Sequence, residues 1–75
     1  MNNVTIDEAL ASRAIGEALD KFPQFAGFGA RIVGRPLFQG AAYMLEYERQ
    51  PPSELPDAWE FQNAAVKGYR RLAGV

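Results

Sequence analysis

Between Leu10 and Phe22 the apolar residues fall at steps of three and four: Leu10, Ala11, Ile15, Ala18, Leu19 and Phe22. That spacing lays one stripe along a helix, with Ser12, Arg13, Gly16, Glu17 and Asp20 on the opposite side. Val4-Thr5-Ile6-Asp7-Glu8 reads as its start. Thr5 is placed to accept from the Glu8 backbone N–H and Glu8 to reach back to that of Thr5, a capping box. Asp7 and Glu8 also put negative charge where the helix dipole favours it. Pro23 biases Phe22 away from helical angles, so the pattern predicts a helix over residues 6–21.

After the glycine-punctuated aromatic loop Phe25–Gly29, the period changes to two. Phe28, Ala30 and Ile32 point one way; Arg31, Val33 and Arg35 point the other. A second alternating run covers residues 41–49, with Tyr43, Leu45 and Tyr47 on one face and Met44, Glu46 and Glu48 on its reverse. Gln39-Gly40 is the expected tight turn between them. With that turn, Arg31 faces Glu48, Val33 faces Glu46, Arg35 faces Met44 and Ile32 faces Tyr47. The Arg31/Glu48 pair joins opposite charges across the ribbon, a favourable arrangement. Pro36 cannot donate to a ladder, so its strand is expected at an edge or broken there, a longer loop over residues 34–40 being the alternative.

Pro51-Pro52-Ser53-Glu54-Leu55-Pro56 has neither period and reads as a stiff connector. Asp57, with Glu60 three residues on, is expected to cap a second helix. Ala58, Trp59, Phe61, Ala65, Val66, Tyr69, Leu72 and Ala73 form its apolar side, and Gly74 is a natural stop. The order is helix, strand, strand, helix. Each helix has one apolar stripe and the hairpin one apolar face. The expected fold is therefore a small single α+β domain over residues 1–75, with both helices packed on one face of an antiparallel β-hairpin. Tyr43, Tyr47, Trp59 and Phe61 are expected to supply much of its core.

Composition narrows the chemistry. The 75 residues contain no histidine and no cysteine. Ser/His and Cys/His nucleophile pairs are therefore impossible, as are disulfides, and a structural zinc site lacks its usual ligands. Glu46 and Glu48 share a strand face roughly 7 Å apart, a spacing expected of a solvated, ion-paired surface. No metal and no cofactor is expected. Gly27-x-Gly29 followed by Gly34 lacks phosphate-loop spacing and precedes a strand, so these glycines are expected to serve turns or close backbone approach. No signal peptide and no membrane span is expected, and the cytoplasm is the expected location.

Eight basic residues against nine acidic ones give a net charge of −1, without the basic excess of a dedicated nucleic-acid binder. Arg31, Arg35 and Arg49 on the sheet side, and Lys67, Arg70 and Arg71 at the chain end, are the groups such binding would use. Glu46 and Glu48 offset the first group. Protein binding is the stronger expectation. Val33 and Met44 sit among charges on the outward hairpin face, and Leu37 and Phe38 stand beside the turn. Arg, Met and aromatic side chains are enriched at interface centres. The candidate partner-binding residues are thus Arg31, Val33, Arg35, Leu37, Phe38 and Met44, with Leu37 and Phe38 folding back over the core as the competing expectation.

Size and composition match the style of small phage-encoded or accessory regulators. The expected function is a non-enzymatic module that binds, and inhibits or redirects, a larger host machine such as RNA polymerase or a defence nuclease complex. The alternatives are a small nucleic-acid-binding regulator, with a homodimer joined at hairpin edges as one form of it, and a subunit of a larger assembly.

Overall fold

A computed structural model describes residues 4–75. Helix α1 runs Glu8–Lys21. Its cap is Asp7, not Thr5: Asp7 is extended, its Oδ1 accepts from the Leu10 backbone N–H at 3.2 Å, and its C=O accepts the first helical bond, from Ala11. The helix therefore starts two residues later than the capping-box reading placed it, on the better capping residue of the two. Phe22 closes α1, and Pro23 opens a single 3-10 turn, Pro23–Phe25.

Helix α2, Ala58–Ala73, runs antiparallel to α1 and meets it through small side chains. Ala11, Ala14 and Ala18 are buried on one side, Ala65 and Gly68 on the other. A Cβ built on Gly68 would lie 3.5 Å from the Ala14 Cβ, an ordinary van der Waals contact. Gly68→Ala should therefore fit, removing backbone freedom from the unfolded chain and stabilising the protein by about 0.5–1 kcal/mol. Thermal unfolding followed by circular dichroism checks this; a lower midpoint would mean the helix pair has no slack here.

The centre of the core is aromatic. Phe25, at the end of the 3-10 turn, stacks parallel on Phe61 with centroids 4.7 Å apart and planes 6° apart. Tyr47 stacks beside both rings, and Phe22 meets Phe61 edge-on at 6.4 Å. Trp59, expected among these residues, is instead 66% exposed. It stands two residues before Phe61, about 200° round the helix, and so on the side away from the buried row Phe61, Ala65, Gly68 and Tyr69. The Asp57 cap differs too. Asp57 is left-handed at φ 70° and makes no side-chain cap bond; its carboxylate accepts from Gln24 Nε2 at 3.3 Å. Aspartate is among the few residues that tolerate this conformation. At the other end of α2, Gly74 closes the helix at φ 73°.

Strands β1, Ala30–Pro36, and β2, Ala41–Tyr47, form one antiparallel ribbon. Ile32 faces Leu45, Val33 faces Met44, Arg31 faces Glu46 and Arg35 faces Ala42. Each partner is thus two residues from the one expected with a Gln39-Gly40 turn. The turn is Leu37–Gly40, with Phe38 and Gln39 at its centre and the Leu37 N–H donating to the Gly40 C=O at 3.1 Å. Gly40 supplies the positive φ, 81°, that releases the chain into β2. A shift of two leaves the side-chain period intact, so every residue keeps the face read from the alternation. The strand also runs unbroken to Pro36, at the edge.

Both helices pack on the inward face, where Ile32 and Leu45 are buried and Ala30, Tyr43 and Tyr47 join the core. Gly34 lies on the same face, and a Cβ there would come within 2.6 Å of Val4 Cγ1, so glycine admits the segment ahead of α1. The Tyr69 hydroxyl, on α2, accepts from the Asp7 N–H at 3.1 Å, tying the start of α1 to the second helix. The architecture is the expected one: helix, strand, strand, helix, with the reverse of the hairpin left bare.

Candidate binding face of the hairpin

All six candidate residues lie on the bare side of the ribbon or at its tip. Alternation puts Arg31, Val33 and Arg35 on the outward face of β1, and Ala42, Met44 and Glu46 on that of β2. Val33 and Met44 are directly opposite and half-buried. Glu46 is bracketed: Arg31 Nη2 lies 3.5 Å from one carboxylate oxygen and Arg35 Nη2 3.5 Å from the other. Arg35 Nε also reaches the Met44 Sδ at 3.3 Å, laying its stem along the thioether. These ion pairs are solvent-exposed, and such pairs contribute at most about 1 kcal/mol each. They place two guanidinium groups beside the Val33/Met44 pair.

The tip is different in kind. Leu37 is 56% exposed and Phe38 fully exposed. Neither folds back over the core, because the Leu37–Gly40 turn carries them past the end of the inward face. Arg49, grouped with the sheet arginines in the nucleic-acid alternative, turns away from that face. It donates to the Gly27 C=O and lies over the Phe28 ring, 5.7 Å from its centroid. Arg70 covers the Tyr43 ring at 5.6 Å, and Arg71 pairs with Glu17 at 3.2 Å. Lys21, Lys67 and Arg71 wall a shallow groove between the helices, floored by Ala18, Ala64 and Gly68. Among the described residues no three acidic side chains gather as a metal site requires, and no helix is long and apolar enough to cross a membrane. Burial raises the Tyr47 phenol above its ordinary pKa by desolvation.

Two features of the exposed surface were missed in the sequence reading. Ala42 completes the outward row beside Arg35, and the two-residue change of register is what places it there. Trp59 is a second exposed aromatic, on α2. The signal was there in the period: Trp59 and Phe61 are two residues apart, about 200° round a helix, so they cannot share one face, and Phe61 is the one in step with Ala65 and Tyr69. No protein-family model matches the chain, and no curated protein or solved structure is significantly similar to it.

Proposed function

We propose that the protein is a non-enzymatic binding module whose hairpin tip and outward sheet face dock on a larger protein. The observation that carries this reading is Phe38, fully exposed and held out by a closed turn with Leu37 beside it. Burying a phenylalanine is worth about 1.5–3 kcal/mol, and here a partner's pocket could collect all of it. Arg35, Met44 and Val33 continue the tip onto the ribbon, giving an aromatic anchor followed by an Arg- and Met-rich patch, the composition favoured at interface centres. Glu46 offsets Arg31 and Arg35 on the outward face, and the chain as a whole carries a net charge of −1, which supports protein over nucleic acid.

The partner class we favour is a larger macromolecular machine, bound and inhibited or redirected in the manner of small phage-type or accessory regulators. RNA polymerase and a defence nuclease complex are examples. The small cysteine-free chain suits a reducing, cytoplasmic setting.

Affinity capture from the native host, read by mass spectrometry, tests this directly. The wild-type chain should recover a defined protein. The double variant Phe38→Asp with Val33→Asp should lose that partner while keeping its helix content by circular dichroism, since neither side chain belongs to the core. Equal recovery by both chains would overturn the reading.

A further inference from the structure

We infer that the free edge of β2 pairs with the same edge of a second copy, joining two ribbons into a four-stranded sheet ordered β1-β2-β2-β1. This stands independently of what the outward face binds. It begins with which backbone groups are spent. The Leu37 N–H donates to Gly40 and the Glu48 N–H to Gly29, so alternation assigns the odd positions of β1 and the even positions of β2 to the internal ladder. The N–H and C=O groups of Ala41, Tyr43, Leu45 and Tyr47 therefore point outward. No hydrogen-bond partner meets them among the described residues.

The two edges of the ribbon are not alike. On β1 the outward-turned positions are even and include Pro36, which has no N–H to offer, so that edge is blunted. On β2 the run Ala41-Ala42-Tyr43-Met44-Leu45-Glu46-Tyr47 contains no proline, glycine or lysine, and its single charge is held by Arg31 and Arg35. Proteins rarely leave such an edge bare, and a ribbon of two strands is a marginal sheet by itself.

What identifies the occupant is how well the strand matches itself. An antiparallel pairing with Met44 on the two-fold axis sets Ala41 against Tyr47, Ala42 against Glu46 and Tyr43 against Leu45 of the second copy. Every residue of the strand is used, odd positions meet odd positions, and no like charges face each other. Combined with the internal register, the outward face then carries one unbroken apolar row, Val33-Met44-Met44-Val33, across all four strands. It is flanked on both sides by rows reading Arg35-Ala42-Glu46-Arg31, in which each glutamate keeps its own copy's Arg31 on one side and meets Ala42 of the second copy on the other. The inward row, Gly34-Tyr43-Leu45-Ile32, is apolar throughout and extends the core across the seam.

Because the chain has no cysteine, a single introduced thiol reports this geometry without background. Met44→Cys should form a disulfide-linked dimer on mild oxidation, since facing side chains of a non-hydrogen-bonded pair have Cβ atoms about 4.5–5.5 Å apart. Val33→Cys should not, because its two copies would lie three strand spacings, about 14 Å, apart. Sedimentation velocity of the unmodified chain should give twice the 8.3 kDa chain mass. Met44→Lys, which brings two ammonium groups together on the axis, should give a single chain mass with unchanged circular dichroism. A single chain mass for the unmodified protein at hundreds of micromolar would overturn the proposal. So would a dimer that survives Met44→Lys, or equal cross-linking at Val33, which would indicate outward faces stacked on each other.

Discussion

Phe61→Ala should remove a large share of the protein's stability. Phe61 is wholly buried, and Phe25, Tyr47 and Phe22 all pack on its ring. Truncating a buried phenylalanine costs about 3–5 kcal/mol, the lost transfer energy plus a cavity the neighbours fill only in part. A domain of this length has roughly 4–11 kcal/mol to lose. The three flanking rings come from the 3-10 turn, β2 and the end of α1, so the cavity would loosen every junction at once. Chemical denaturation should show a midpoint far below that of the parent, or no native baseline. Trp59→Ala is the control: it removes a larger side chain from the same helix, yet an exposed position should cost within about 0.5 kcal/mol. Comparable losses from the two would mean that the core is built around Trp59 after all.

The second large effect is expected at Gly29, and it can be divided into parts. Gly29 and Gly40 both have positive φ, 66° and 81°. Alanine in that region costs about 1–2 kcal/mol at either site. At Gly40 nothing lies within 4 Å of the new methyl, so that is the whole cost. At Gly29 the methyl would sit 2.6 Å from the Glu48 Cβ and 3.5 Å from the Glu48 N, the group whose N–H donates to the Gly29 C=O. Backbone must move there, adding about 1–3 kcal/mol of overpacking. Gly29→Ala should therefore destabilise by clearly more than Gly40→Ala in urea titrations. Equal losses would show that β2 yields freely beyond Tyr47, and that the clash is relieved without cost.

Why some of this was readable from the residues and some was not follows from the range of each interaction. Helix stripes and strand alternation are local, so the four elements and the inward set Ile32, Tyr43, Leu45 and Tyr47 could be read directly. The turn was not, because Gln39-Gly40 and Phe38-Gln39 differ by two residues in register and preserve the same faces. Only the positive φ at Gly40, needed at the close of the turn and not at its centre, separates them. Phe25 was missed because a single 3-10 turn has no period, and Ala14 and Gly68 because small residues carry little hydrophobic signal until two helices approach closely. On the outward face the residues themselves were legible, but the grip of Arg31 and Arg35 on Glu46 depends on register and became visible only in three dimensions.

The hydroxyl that links Tyr69 to the Asp7 amide spans 62 residues of sequence. Each helix can flicker into being within about a microsecond, and a hairpin within about ten. Docking one helix on the other must wait for nearly the whole chain to close on itself, an entropic toll that early local structure does little to recover. The meeting of the two helices is therefore the step expected to set the pace of folding, and substitutions at Ala14 or Gly68 should register in the refolding rate more strongly than changes at either helix cap.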